Sequence, residues 1–483
     1  MHFPPMADPA ETQPSVQDTL QRVTELLRRH ELVENLVHRQ QGPRQELVEN
    51  LVHKLHLVEL QKLLEVLHPA DVAYILESVP IEQRLVVWDL VKAEREGEIL
   101  LEVSDAVRET LIEHMDDHEL VAATEQLDTD EIADLAPDLP RDVIRDVFQS
   151  LSPEEREQLR AAMSYPEDTV GALMDFDMIS IRDDVTIGVV LRYLRRLEEM
   201  PDQTDQLFVV DHAGLLKGLL PVNRLLVTDP AIPVVTVMQP EFVKLHAAEK
   251  AQDAANAFER YDLVSAPVVD DRGLLVGRVT VNAVMDYIRE ETDSDMLSAG
   301  GLSEDEDLFA SVWRSVRNRW AWLAVNLVTA FIASRVIGLF EDSIAKLVAL
   351  AALMPIVAGI SGNSGNQTIT FIVRALALGQ ITAGNARKLF AKEIAVSVLN
   401  GLIWGSVVGL FAFLIYHDWR LGLVMTGAMV LALLLAAMTG VAIPLVLQKL
   451  GRDPALGSSV LITAITDSGG FFIFLGLATI FLV

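Results

Sequence analysis

The stretch "VVDHAGLLKGLLPVN" at 209–223 returns as "VVDDRGLLVGRVTVN" at 268–282, with Asp211/Asp270, Gly214/Gly273, Gly218/Gly277 and Asn223/Asn282 all at an offset of 59. In each copy an apolar pair runs into an Asp/Gly turn and a second apolar run leaves it, which reads as a β-hairpin. A helical run stands before each hairpin, "TIGVVLRYLRRLEE" at 186–199 and "EKAQDAANAFERYD" at 249–262. The repeat predicts two α/β modules in tandem.

These paired modules resemble a CBS-domain pair. In many such modules a Ser/Thr three residues and an Asp six residues after the hairpin glycine hold a nucleotide's phosphate and ribose. The corresponding positions here are Pro221 and Arg224 in the first module and Thr280 and Ala283 in the second. Thr280 is therefore the one candidate nucleotide contact, and ATP the nucleotide that the resemblance implies.

Upstream, from His56 to Ala162, apolar residues recur at i, i+3 and i+4, punctuated by Pro69, Pro80, Pro137, Pro140 and Pro153. "PADVAYILESVP" (69–80) and "TDEIADLAPDLP" (129–140) are alike at an offset of 60. Repeated short amphipathic helices with acidic starts predict a superhelical stack. Further upstream, "ELVENLVH" at 31–38 is repeated verbatim at 46–53, a local duplication, and the polar, Pro-rich residues before Ser15 predict disorder. No basic segment followed by an apolar core opens the chain, so no secretory signal is expected and the first body is expected in the cytoplasm.

Charge separates the two ends of the chain. The whole carries 39 Lys+Arg and 69 Asp+Glu, net −30; from Ser311 onward there are 12 and 6, leaving 27 and 63 before it. An acidic soluble body is joined to a mildly basic, apolar one. That balance argues against a nucleic-acid partner, whose phosphates call for Lys and Arg. It fits a cation, or a surface kept acidic for solubility. The absence of cysteine excludes disulfides, thiolate metal sites and a thiol nucleophile.

Five apolar runs follow, at about 319–340, 346–372, 388–416, 420–447 and 455–482, each supplying the roughly 20 residues a bilayer requires. Arg314, Arg317 and Arg319 precede the first run, Arg387, Lys388 and Lys392 lie at the third, and Lys449 and Arg452 precede the fifth; Glu341, Asp342 and Asp418 lie in the other loops. The positive-inside rule then places the N-terminus in the cytoplasm and Val483 outside.

The second run is interrupted by Pro355, Gly359, Gly362 and Gly365 and carries Asn363, Asn366 and Gln367. Lipid does not tolerate bare amides, so they must meet protein or water; alternatively the glycines serve close packing and the amides tie helices together. The last run, with "TAITDSGGFFIFLG" at 463–476, holds one carboxylate, Asp467. A charge near the bilayer centre costs at least about 2.5–3.5 kcal/mol, so an acid there points to an ion or a proton. A salt bridge to Arg335 or Arg374 is the structural alternative, although both lie near span ends and can snorkel. A proton relay would show several buried acids or histidines, whereas His417 lies in a loop and Glu393 near a span end. Mg2+ sheds water reluctantly and is often held by one or two carboxylates. Two chains placing Asp467 on a shared axis would suit a largely hydrated Mg2+.

Together with "YPEDTVGALM" (165–174), "PIVAGISGNSGNQ" and "DPALGSSVLITAITDSGGFFIF", the order of parts resembles the MgtE family of Mg2+ channels over nearly the whole chain. The resemblance implies a multidomain protein. Its parts are an N-terminal extension (1–55), an α-helical superhelical N-domain (56–162), an α/β tandem CBS pair (163–285), a connecting or plug helix region (286–318) and an all-α five-helix transmembrane domain (319–483). It implies a homodimer in the bilayer of a bacterial inner membrane, importing Mg2+ and closed when cytosolic Mg2+ binds the acidic domains. Asp467 matches the pore carboxylate. Asp286, Glu291 and Asp295, with Asp262, match acids that bridge Mg2+ in the sensor. Asn363, Asn366, Gln367, Ser459, Thr463 and Gly469 are the pore-lining candidates; Ser459 stands where some members have Asn, and Ala283 where some have an acid. A proton- or gradient-coupled divalent cation carrier is the alternative. An enzyme is not expected: an intramembrane metalloprotease needs H-E-x-x-H on a span, and none is present.

Overall fold

The computed structural model describes residues 15–38, 56–197, 199–302, 307–381, 384–452 and 458–483. The Pro-rich start and the second copy of the duplicated octapeptide, 46–53, lie outside the described residues; the first copy forms the end of a helix. The chain divides into two units, Met1–Arg289 with Asp307–Ala310, and Glu290–Glu306 with Ser311–Val483.

The first unit begins with short helices: α1 Val16–His38, α2 at 56–64, α3 Pro69–Glu77, α4 Ile81–Trp88, α5 Ala93–Glu102, α6 Asp105–Ile112, α7 Asp117–Thr124, α8 Thr129–Leu135, α9 Arg141–Ser150 and α10 Pro153–Ala162. Local chemistry sets their ends. Asp116, Asp128 and Ser152 form capping boxes with Glu119, Glu131 and Glu155, satisfying amides that the first turn leaves free. Pro69 and Pro153 sit at the start of their helices, where a missing N–H costs nothing. The internal likeness is a real repeat: Pro80 and Pro140 each end one short helix segment and cap the next, α4 and α9. Alternate helices then stack, α3 on α5, α5 on α7 and α7 on α9, around a core that includes Val72, Ile75, Leu76, Ile99, Leu111 and Leu135.

The same unit continues into two three-stranded sheets, β1 Ser180–Arg182, β2 Gln206–Val210 and β3 Leu216–Pro221, then β4 Leu245–His246, β5 Ser265–Val269 and β6 Leu275–Thr280. In each, the first strand pairs parallel with the second and the second antiparallel with the third. Both hairpins carry the same bulge, at Val209/Val210 and Val268/Val269. Both turns use one device. Asp211 Oδ1 accepts the amides of Ala213 and Leu215, and Asp270 Oδ1 those of Arg272 and Leu274, while Gly214 and Gly273 take φ of +82°, which side chains resist. The turns also pair with each other, Leu216 N–H to the Gly273 carbonyl and Leu275 N–H to the Gly214 carbonyl. Around the sheets lie α11 Ile187–Leu194, α12 Val222–Val227, α13 Val234–Val237 and α14 Ala251–Tyr261; α15, Val281–Gly300, leaves the second module.

The second unit is all helix: α16 Val312–Gly338, α17 Glu341–Lys346, α18 Ala349–Ala377, α19 Ala386–Tyr416, α20 Trp419–Lys449 and α21 Ser458–Phe481. Among the described residues four of these, α16, α19, α20 and α21, are long and apolar enough to cross a membrane, where five were expected. The fifth, α18, has 29 residues, but its amides and glycines dilute the apolar run. Its helix is unbroken all the same. Pro355 falls near the start, so its missing N–H frees a carbonyl of the first turn only. In α19 and α20 small residues set the spacing. The Thr426 hydroxyl donates to the Gly405 carbonyl at 3.0 Å, and a Cβ on Gly409 would lie 2.5 Å from the Gly422 oxygen. Close backbone approach of this kind supplies the packing that the hydrophobic effect cannot provide in lipid.

Candidate functional site

Ser459, Thr463 and Asp467 stand four residues apart on α21, so they share one face. That face borders a cavity of about 450 Å3 lined by Asn326, Thr329 and Ala330 of α16, by Ser459, Val460, Thr463, Ala464 and Asp467 of α21, and by Gly300 at the end of α15. All lie within the second unit. Among the described residues the half-buried Asp467 has no hydrogen-bond or ion-pair partner, Arg335 and Arg374 included. The carboxylate is thus presented to the cavity, with the hydroxyls of Ser459 and Thr463 two turns and one turn before it. Thr463 spends its hydroxyl proton on the Ser459 carbonyl at 2.8 Å, which leaves its oxygen lone pairs for a donor such as a metal-bound water.

The other pore-lining candidates are placed elsewhere. Asn366 comes within 3.5 Å of Ser459, Oδ1 to Oγ, and so stands behind the cavity wall. Asn363 and Gln367 are exposed on the single chain. Gly469 packs against Leu435 of α20 rather than into the cavity. Conversely, Asn326 and Thr329 were not singled out from the sequence. Their signal was available, two polar residues three apart on one span, but nothing local says which helix they meet.

The connecting helix α15 carries Asp286, Glu291 and Asp295. Glu291 and Asp295, four apart, share a face; Asp286, five before Glu291, is turned about 140° away at 3.6 residues per turn. Asp262 ends α14 as a left-handed C-cap with φ of +51°, its amide donating to the Phe258 carbonyl. Among the described residues no group of three or more acidic or histidine side chains is gathered within one chain to hold a metal ion. Within one chain, among the described residues, these four acids are not gathered into one site.

An acidic cluster that the sequence reading did not single out lies within the first unit. Burial, and next the charge of Asp175, push the Asp130 carboxyl up to about 8. Burial also raises Asp128, with Asp177 and Asp202 adding to it. Asp175 itself is raised by burial, although Arg278 Nε donates to its Oδ2 at 2.8 Å and pulls the other way. Burial and neighbouring like charge both favour the protonated form of these carboxyls.

The second CBS module shows how its one candidate nucleotide contact is placed. Thr280 is buried and its hydroxyl oxygen accepts the Ala283 amide, and Ala283 offers no carboxylate for a ribose. In the first module Arg224 donates to the Val237 carbonyl at 2.9 Å and Pro221 has no hydroxyl.

Comparison with known proteins agrees with this organisation. Residues 354–477 match MgtE, divalent cation transporter; residues 67–168 match the MgtE intracellular N domain, and residues 234–290 a CBS domain. The magnesium transporter MgtE of Thermus thermophilus is 30% identical over 433 residues, 88% of this chain and 95% of its own. That of Bacillus subtilis is 25% identical over 424 residues, 88% of this chain and 94% of its own. A solved cytosolic domain of the Mg2+ channel MgtE, in complex with ATP, is 31% identical over 47% of this chain and 93% of its own, with a TM-score of 0.43. With a helical N domain, a CBS pair and a bundle of long apolar helices in that order, the chain belongs to the MgtE family.

Proposed function

We infer that this chain forms a homodimeric, Mg2+-selective channel that imports Mg2+ across a bacterial inner membrane and is closed by cytosolic Mg2+. The observation that carries the reading is the unpaired Asp467, facing a cavity of about 450 Å3 between the first and last apolar helices. Mg2+ keeps an octahedral water shell. Six waters at about 30 Å3 each need roughly 180 Å3, so the cavity has room for the ion with its shell. Asp467 would neutralise half of the ion's charge, and a second chain the other half. The Ser459 and Thr463 oxygens would accept hydrogen bonds from the shell rather than replace it.

A second copy is supported by what one chain leaves bare. Asn326, Asn363 and Gln367 are exposed at membrane depth, as are Trp320, Leu323 and Phe331 of α16. Amides facing lipid would be left without hydrogen bonds. A partner subunit or a water-filled path would satisfy them.

Closure requires the shut state to bind more Mg2+ than the open one, because a ligand moves an equilibrium only by its differential affinity. The acids of α15 offer that difference: carboxylates that repel one another when bare and are bridged, across the assembly, when the ion is present. Gly300 at the end of α15 lines the Asp467 cavity, which supports a direct path from the α15 acids to the pore.

The test is Mg2+ flux into liposomes reconstituted with purified protein, with and without a pH gradient, at varied internal Mg2+. Downhill flux that needs no pH gradient and falls as internal Mg2+ rises is the expected result. Flux that requires the gradient would replace the channel with a coupled carrier.

A further inference from the structure

Arg84 lies on α4 with its side chain wholly shielded from solvent, and the Asp307 side chain is 5% exposed. The guanidinium grips the carboxylate with two prongs, Nη1 to Oδ2 at 2.8 Å and Nη2 to Oδ1 at 3.1 Å. Nε donates to the Leu76 carbonyl at 2.9 Å, and Asp307 Oδ1 also accepts the Phe309 amide at 2.9 Å. Removing two charges from water is so unfavourable that apolar replacements of such pairs are often as stable or more so. Stability alone is therefore a weak reason for the pair to exist. What it supplies is a fixed position.

That position matters because of where Asp307 falls in the chain. Asp307–Ala310 belongs to the first unit, although Glu290–Glu306 before it and Ser311–Val483 after it belong to the second. The next residue, Ser311, caps α16, its hydroxyl oxygen accepting the Arg314 amide. α16 in turn carries Asn326 and Thr329 to the Asp467 cavity. A few residues of covalent chain thus connect a buried grip in the helical N domain to the start of the helix whose later turns line the cavity.

We propose that the Arg84–Asp307 pair is a clamp through which the N domain holds the start of the first membrane helix and passes its state to the pore. The proposal rests on the reading of the chain as a channel closed by cytosolic Mg2+. Neither residue touches the ion; both are positioning residues. A slack segment here would let the N domain rearrange without moving α16. The pair removes that slack.

The chain has no cysteine, so a single spin label on Leu308→Cys, at a side chain 84% exposed beside the clamp, reports whether the segment is held. Label mobility and Mg2+ flux against internal Mg2+ are measured on the full-length protein in that background, for Asp307→Asn, for Asp307→Glu, and for a short Gly/Ser insertion between Ala310 and Ser311. Asp307→Asn is expected to free the label and raise the half-inhibiting Mg2+ concentration about tenfold, with flux at zero internal Mg2+ unchanged. Asp307→Glu keeps the carboxylate and should recover part of both. The insertion leaves Arg84 and Asp307 intact and should loosen inhibition without freeing the label, which keeps the test valid if Asp307→Asn folds poorly. A freed label with inhibition unchanged in Asp307→Asn, or unchanged inhibition in the insertion variant, overturns the proposal. If the parent protein shows no inhibition by internal Mg2+, the gating reading itself fails and takes the clamp's role with it.

Discussion

Asp175 acts on Asp130 as a like charge within the first unit, and after burial it does most to push the Asp130 carboxyl up to about 8. Arg278 Nε donates to Asp175 Oδ2 at 2.8 Å, which ties Asp175 to β6. A carboxyl raised to about 8 favours its protonated form at neutral pH in the absence of a cation. Any Mg2+ bound there has to displace that proton.

The pH dependence follows from that sign. An acid whose folded pKa is raised binds its proton more tightly when folded, so its contribution is most favourable below the ordinary carboxylate range and is lost as pH rises toward about 8. Without Mg2+, the melting temperature of the cytosolic portion should fall between pH 5 and pH 8 and then level off. Asp130→Asn should flatten that slope and melt higher than the parent above pH 8. A parent melting temperature that does not change over this range would contradict the buried-acid account.

Asp467→Asn keeps the size of the side chain and removes its charge. Loss of hydrogen bonds to a charged group is worth about 1.5–3 kcal/mol, so Mg2+ flux should drop by about tenfold or more while the purified protein keeps its oligomeric size. Thr463→Val, which removes only a neutral oxygen from the same face, should cost less. Parent-like flux in Asp467→Asn would remove this residue from the pore.

Neutralising Asp286, Glu291 and Asp295 together should leave a channel that conducts at internal Mg2+ concentrations that shut the parent. Because Asp286 points about 140° away from Glu291 on one helix, Asp286→Asn and the Glu291→Gln, Asp295→Asn pair should act through separate sites. Their effects on the half-inhibiting Mg2+ concentration should multiply. A triple variant that closes at the parent's concentration would make these acids a solvated surface.

Two glycines in the helical unit should behave oppositely. A Cβ on Gly409 would fall 2.5 Å from the Gly422 oxygen, so Gly409→Ala should force α19 from α20 and destabilise the protein by about 1–3 kcal/mol, read as an earlier melt in detergent. A Cβ on Gly359 would meet nothing within 4 Å. Gly359→Ala should be neutral, or stabilising by about 0.5–1 kcal/mol through backbone entropy.

Local chemistry made much of this protein legible from its sequence. The hairpins at 209–223 and 268–282 announce themselves because an Asp side chain and a left-handed glycine build each turn from neighbours in the chain, and the short helices because their caps lie within three residues of the amides they satisfy. The lone Asp467 stood out because lipid makes a charge costly wherever the rest of the fold lies. Among the described residues four helices met the apolar expectation and α18 did not, since its amides and glycines dilute the apolar run. The tertiary structure alone decided which surfaces meet. Asn326 and Thr329 become cavity walls only because α16 packs on α21. Asp130 becomes a proton holder only because Asp175 and burial come with the fold. Arg84 and Asp307, 223 positions apart, carry no mutual signal in one sequence: each reads as a solvated charge until folding takes both out of water and sets them against each other.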